Sequence, residues 1–275
     1  MLRIVVDSGS SIKQEEKEKY KVDILPICVQ MGNDSYLDGI DLDVDSFYER
    51  LVVKKEFPKT SLPSLEQAEK LVSGYTNQGD NVLVITISSE ISGTYQALHI
   101  LFEDNPNVTV FDSRMAVGGI RFLVQEARKY EKESMELIVE KLNELIPRIE
   151  IAAIPETLDY LLAGGRLSKA EWMVGKLLSI NPVIGFQNGR VSVLVKKRGL
   201  KQSKKYIADK VKEDHCDPEY GIIASYTYNK SNIDEVIAIT SPELQTLIKV
   251  YDNLTPSIAC HWGPNAFGYI YVKSK

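Results

Sequence analysis

The run Asn81-Val82-Leu83-Val84-Ile85-Thr86-Ile87 is followed by a hydroxyl-rich loop and then by apolar residues at helical spacing over 95–102, and this succession constrains the chain more than any other feature. A strand apolar enough to be covered on both faces belongs inside a parallel sheet, and parallel strands need crossover helices. The pattern recurs. Residues 2–6 predict a strand that ends in the polar turn Asp7-Ser8-Gly9-Ser10-Ser11, and 108–111 predict a third strand ending in Asp112-Ser113. Helical periodicity covers about 116–130 and 135–145, before a further strand at 149–154.

Beyond this point the texture changes. Residues 180–186 and 190–195 flank Gln187-Asn188-Gly189, and an Asn-Gly step between two β-type runs signals a hairpin. A helix near 202–211, a strand at 220–224, helices near Ile233 and Leu244, and closing strands at 257–260 and 267–272 complete the expectation. The fold class is therefore α/β in two lobes, an N-terminal parallel-sheet domain over 1–150 and a C-terminal mixed-sheet domain over 151–275. No Ser/Gly-rich linker separates them, and no internal repeat is visible. A chain of 275 residues can bury a core of this size without disulfides or metals.

Composition removes several function classes. The longest apolar stretch, near 82–87, is far below the ~18 residues of a membrane span, and the acidic residue at Asp7 comes too early for a signal peptide. A cytoplasmic protein is expected. Cys28, Cys216 and Cys260 form no C-x-x-C pair, which fits free thiols in a reducing compartment. A net charge of −5 argues against general nucleic-acid binding. Phosphate-loop, dinucleotide, nucleophile-elbow and zincin motifs are all missing, and three histidines, His99, His215 and His261, are too few for a multi-histidine metal site. Neither a metal nor a cofactor is expected.

The hydroxyl-rich turns are what remain. Loop 88–94 joins a parallel strand to a helix, where ligands collect in open α/β sheets, and the first N–H groups of that helix favour an anion. Ser92 and Thr94 add hydroxyls, and Gly93 lets a ligand approach the backbone. Helix capping explains the same residues equally well. A second cluster, Pro58-Lys59-Thr60-Ser61-Leu62-Pro63-Ser64, precedes a helix starting near Leu65 and also reads as a helix entry. Arg166, in Gly164-Gly165-Arg166-Leu167-Ser168, is either a bridge to carbonyls or a carboxylate clamp. His261, read as following a strand in His261-Trp262-Gly263-Pro264, is either a packing residue or a ligand contact.

Taken together, these segments resemble the DegV family of bacterial fatty acid-binding proteins. The resemblance covers residues 2–273 in order: Asp7-Ser8, Tyr36-Leu37-Asp38-Gly39, Phe47-Tyr48, Lys59-Thr60-Ser61-Leu62-Pro63-Ser64, Ser88-Ser89-Glu90-Ile91-Ser92-Gly93-Thr94-Tyr95-Gln96, Asp112-Ser113, the Gly164 to Ser168 turn, and His261-Trp262-Gly263-Pro264. It departs at Leu62 and Asn265, where the family usually has Gln and Gly.

The resemblance implies a non-catalytic protein that holds a long-chain fatty acid, such as palmitate or oleate, in an apolar tunnel to which the C-terminal domain contributes. By motif position the carboxylate holders are Thr60 and Ser92, with Ser61 and Gly93 beside them and Arg166 and His261 near the head group. It further implies presentation of the lipid to a separate kinase that forms an acyl phosphate in phospholipid metabolism. Residues 190–212 carry nine basic residues against one acid, a net +8, which is either a solvated face or a docking face for that kinase or for transient contact with an anionic membrane. Two other classes compete: an acyl hydrolase or transferase with Ser92 as nucleophile and His261 as base, and a phosphosugar- or phosphate-binding domain built on the helix start near Ser92.

Overall fold

The computed structural model describes residues 1–175 and 180–275. The strands are β1 (Leu2–Asp7), β2 (Val22–Leu25), β3 (Cys28–Met31), β4 (Asp34–Leu37), β5 (Lys59–Ser61), β6 (Asn81–Thr86), β7 (Val108–Asp112), β8 (Ile149–Ile154), β9 (Ile180–Gln187), β10 (Arg190–Arg198), β11 (Ile222–Tyr226), β12 (Ile248–Asn253) and β13 (Phe267–Val272). The chain divides into two compact units: 1–147 together with 255–258, and 148–254 together with 259–275.

The first unit holds a parallel sheet in the order β2-β1-β6-β7. Val5 of β1 and Val82 and Val84 of β6 are fully buried, and they pack with Ala68 and Val72 of helix Leu65–Thr76 and Leu98 and Phe102 of helix Thr94–Phe102. Burial of one such side chain contributes about 1.5–3 kcal/mol, so this sheet and its helices are a firm platform for the loops at its edge. A small antiparallel sheet, β4-β3-β5, completes the unit and was not expected from the sequence.

The second unit is a six-stranded mixed sheet in the order β10-β9-β8-β13-β11-β12, parallel only between β11 and β12. Gln187 and Arg190 pair across the expected hairpin, with Asn188 and Gly189 at φ of 52° and 83°, the double left-handed turn that an Asn-Gly step favours. Helix Leu200–Glu213 buries Ile207, Ala208 and Val211 against the sheet.

Two expected strands differ. The one at 220–224 begins later, at Ile222, because Gly221 turns with a φ of 74° and a side chain there would meet the Leu247 carbonyl at 2.6 Å. The strand at 257–260 is instead the helix Pro256–Trp262. Proline pre-sets the backbone for the first helical position, and the Gly263 N–H bonds the Ala259 carbonyl at 2.8 Å. His261 consequently sits in the last turn of a helix rather than after a strand.

Candidate functional site

β6 delivers the chain to the edge of the parallel sheet, where the loop is tied from three sides. The Ile87 N–H donates to Asp7 Oδ2 at 2.7 Å, and the Ser88 N–H to the Met115 carbonyl at 2.9 Å. The Ile91 and Ser92 N–H groups both close onto the Ser88 carbonyl at 3.1 Å. This fixes the Ser92 hydroxyl at the start of helix Thr94–Phe102, 2.9 Å from Thr94 Oγ1 and accepting the Thr94 N–H at 3.3 Å. Thr94 is buried, Ser92 half-buried and Gly93 exposed. Gly93 has an ordinary φ of −76°, so its backbone does not require glycine. What the missing side chain provides is an uncovered helix start.

Thr60 lies in the middle of β5, in register with Val29, and is half-buried, whereas Lys59 and Ser61 on either side are exposed. The next residue, Leu62, brings the two hydroxyl segments together: a Cβ on Gly93 would stand 3.6 Å from Leu62 Cδ2. Ser64 plays the bland part, capping helix Leu65–Thr76 by accepting the Gln67 N–H at 3.2 Å. Thr60, Ser61, Ser92 and Gly93 thus belong to neighbouring segments of the first unit.

Arg166 and His261 meet inside the second unit. Gly165 turns with a φ of 74°, and the Arg166 N–H returns to the Leu161 carbonyl at 2.9 Å, while its guanidinium donates to the Gly164 carbonyl. Burial lowers the pKa of that guanidinium. Gly164 lies against the imidazole of His261, so that a Cβ there would fall 2.3 Å from Nδ1. Burial, and then the charge of Arg166, pushes the His261 imidazole down to about 3, and it stays neutral throughout the physiological range. Ser168 opens the next helix with a capping box, its hydroxyl 3.2 Å from the Glu171 N–H and the Glu171 carboxylate reaching back to the Ser168 N–H.

Two acidic residues were not singled out for chemistry in the sequence. Asp7 and Asp38 are each 1% exposed. Asp7 accepts the Gly9 N–H at 2.9 Å as well as that of Ile87, yet burial pushes it up to about 7, with Asp38 adding to the shift. The Asp38 oxygens are sealed from solvent with no aligned donor. The Ser8, Thr255 and Ser257 groups face them closely enough to offset part of the burial, and the carboxyl is pushed up to about 6. The residue borders a cavity of about 190 Å³ together with Ser8, Ile12, Ile24, Leu42 and Thr255. In the sequence, Asp38 stands out only as part of the Tyr36-Leu37-Asp38-Gly39 segment of the resemblance, with no role attached to its carboxyl. Among the described residues, no group of three or more His, Cys, Asp or Glu could hold a metal ion, and no helix is long and apolar enough to cross a membrane.

The basic run does not present nine free charges. Lys204 is 7% exposed and pairs with Glu235 at 2.6 Å, Lys205 pairs with Asp209 at 2.8 Å, and Lys210 with Asp214 at 2.9 Å. Lys197 lies over the Tyr206 ring at 4.8 Å. Lys196, Arg198, Lys201 and Lys212 are the exposed cations left without an ion pair among the described residues. Lys204 is therefore unsuited to a docking role.

Comparison with known proteins agrees with the residue pattern. The DegV family, described as uncharacterised proteins, matches residues 1–274. A DegV domain-containing protein of Caldanaerobacter subterraneus subsp. tengcongensis is 30% identical over 277 residues, covering 98% of each chain. The crystal structure of a fatty acid binding DegV family protein from Streptococcus agalactiae superposes with a TM-score of 0.89 at 28% identity, covering 100% of this chain and 99% of that one. A stearic acid-binding protein from Eubacterium ventriosum superposes with a TM-score of 0.81 at 29% identity, covering 99% and 98%. Matched over its whole described length in sequence and in fold, the chain belongs to the DegV family.

Proposed function

We propose that this protein binds a long-chain fatty acid and holds its carboxylate with the hydroxyls of Thr60 and Ser92. The observation that carries the reading is the approach of the turn after β5 to the start of helix Thr94–Phe102, with Leu62 beside Gly93. Two hydroxyls and the N–H groups of a helix start offer charge-assisted hydrogen bonds to a carboxylate without burying a full counter-charge. Ser61 and Gly93 belong to the same two segments, and the family resemblance is the ground for adding Arg166 and His261 to the residues expected to serve the head group. An acyl chain of about sixteen carbons gains on the order of 10 kcal/mol from burial in an apolar tunnel before ordering costs, which makes the chain the source of affinity and the hydroxyls the source of orientation.

The protein is read as a cytoplasmic carrier rather than an enzyme. A general base works best with a pKa near the operating pH, and His261 at about 3 is a poor partner for a Ser92 nucleophile. Presentation of the carboxylate to a separate kinase in phospholipid metabolism is supported by the lack of a phosphate-loop motif in the chain itself. The docking face for that kinase would be Lys196, Arg198, Lys201 and Lys212. Charge reversal at Lys196 and Lys201 is expected to slow acyl-phosphate formation and to leave lipid binding intact; an unchanged rate removes that face. Native mass spectrometry of the gently purified protein tests the main reading: a co-purified long-chain fatty acid is expected, and a protein that neither retains nor takes up such an acid refutes it.

A further inference from the structure

Both carboxylate oxygens of Asp38 lie out of reach of solvent and without an aligned donor, in a residue only 1% exposed. An ion buried in this way is costly unless a charge of opposite sign meets it. Three buried hydroxyl residues, Ser8, Thr255 and Ser257, face the carboxyl. Their hydroxyls are only loosely committed elsewhere: Thr255 Oγ1 is 3.4 Å from the Ser8 carbonyl oxygen and 3.5 Å from Ser257 Oγ. Ser8 Oγ accepts the Ile27 N–H at 3.0 Å and keeps a second lone pair. Asp7 is not available to the group, since its two oxygens are taken by the N–H groups of Gly9 and Ile87.

Ser8, Asp38 and Thr255 also border the cavity of about 190 Å³. The charged residues lining it are three acids, Glu15, Asp38 and Asp43, against one base, Lys13. Glu15 and Asp43 are exposed, so the cavity leads from an acidic mouth to a buried carboxylate set among hydroxyl oxygens. All of these residues belong to the first unit.

We propose that Asp38, with the hydroxyl oxygens of Ser8, Thr255 and Ser257, is a binding site for a sodium ion. A set of hard oxygens with a single carboxylate balances one positive charge. With no second free carboxylate and no nitrogen or sulfur donor, it suits neither calcium nor a transition metal. Sodium is favoured over potassium because the Asp38 oxygens are closed to anything the size of water. A bare sodium ion is smaller than a water molecule, and a bare potassium ion is about as large. The ion would join the turn after β1, the turn at Asp38 and residues 255–258, and so fasten that last segment to the body of the first unit. The inference is independent of the fatty acid reading.

The test is thermal melting of the full chain, with the carboxyl ionised, in choline chloride, potassium chloride or sodium chloride at one ionic strength. Sodium at about tenfold its dissociation constant is expected to raise the midpoint by about 3 °C over choline, saturably, and potassium by less. In choline chloride the carboxylate has no counter-charge, so Asp38→Asn should melt above the parent there and show no response to sodium. Ser257→Ala keeps the carboxylate and removes one oxygen, and should need about tenfold more sodium for the same rise. The sodium NMR line should broaden with the parent and stay narrow with Asp38→Asn. Equal midpoints in sodium and choline, a sodium response that survives in Asp38→Asn, or a response to potassium as large as that to sodium overturns the proposal. Where Asp38→Asn fails to fold, Ser257→Ala decides: a sodium dependence identical to the parent's overturns it.

Discussion

Gly164 and His261 are pressed together so closely that a methyl group on the glycine would stand 2.3 Å from the imidazole Nδ1 and 3.1 Å from the Tyr160 carbonyl. The missing side chain is what admits the ring. Gly164→Ala is expected to force the imidazole aside, costing about 1–3 kcal/mol and lowering the melting temperature by several degrees, and to weaken fatty acid binding as well. A variant that melts with the parent would show that the ring moves freely and does not brace the Arg166 turn.

Thr60→Ala and Ser92→Ala should each remove one charge-assisted hydrogen bond to the carboxylate, a loss of about 1.5–3 kcal/mol in binding free energy. Ser92→Ala also breaks the link to Thr94 Oγ1, 2.9 Å away, and should lower stability as well. Displacement titration with a fluorescent fatty acid measures the first effect and thermal melting the second. Undiminished affinity in both variants would dismiss the hydroxyl pair as the head-group site.

Asp38 ties stability to pH in an unusual direction. Its carboxyl is pushed from 3.8 up to about 6 by burial, so the folded state prefers the proton, and the stabilisation this gives is complete below pH 3.8 and lost as the pH rises through about 6. Asp38→Asn keeps the shape and removes the titration. The variant should gain melting temperature relative to the parent as the pH moves from 4 to 7, because the parent must then carry a charged group without an aligned donor. A constant difference across that range would show that Asp38 does not titrate there.

Lys204 is enclosed, 7% exposed, with its ammonium 2.6 Å from Glu235 and 2.8 Å from Asn232 Oδ1. Lys204→Glu would place two carboxylates together and bury one of them, a loss of about 2 kcal/mol or more. Lys201→Glu, on the exposed side of the same helix, should stay within about 0.5 kcal/mol. Urea denaturation of the two variants distinguishes the enclosed lysine from the solvent-facing one.

The strands most legible in the sequence are those whose neighbours cover both faces. β6, β8 and β13 are bounded by the sequence pattern almost to the residue, and the Asn188-Gly189 turn marks its hairpin unaided. The sheet β4-β3-β5 was not legible because its strands have only three or four residues and mix exposed with buried positions, leaving too little pattern to read. Ser257-Ile258-Ala259-Cys260 is short and apolar, and a run of that length suits a strand or a helix; only the preceding Pro256 favours the helix that forms. The Ser92 loop could be found from its place between strand and helix. The meeting of Gly164 with His261 could not, since it depends on the absence of a side chain at one point and on a long-range contact at the other. Asp38 is legible only as part of the Tyr36-Leu37-Asp38-Gly39 segment of the resemblance, and nothing local reveals that three hydroxyl residues from two distant segments close over it.

Residues 255–258 complete the first unit although they are made long after the rest of it. Thr255 and Ser257 close over Asp38, and the Thr255 N–H reaches Ser11 Oγ at 3.4 Å. A ribosome that has just released residue 147 has therefore produced a first unit that lacks only its last four residues but has a gap at Ser8, Ser11 and Asp38, and more than a hundred further residues must emerge before the plug arrives. A fragment cut at the apparent boundary would inherit that gap permanently, because the first unit is finished only when residues 255–258 have been made.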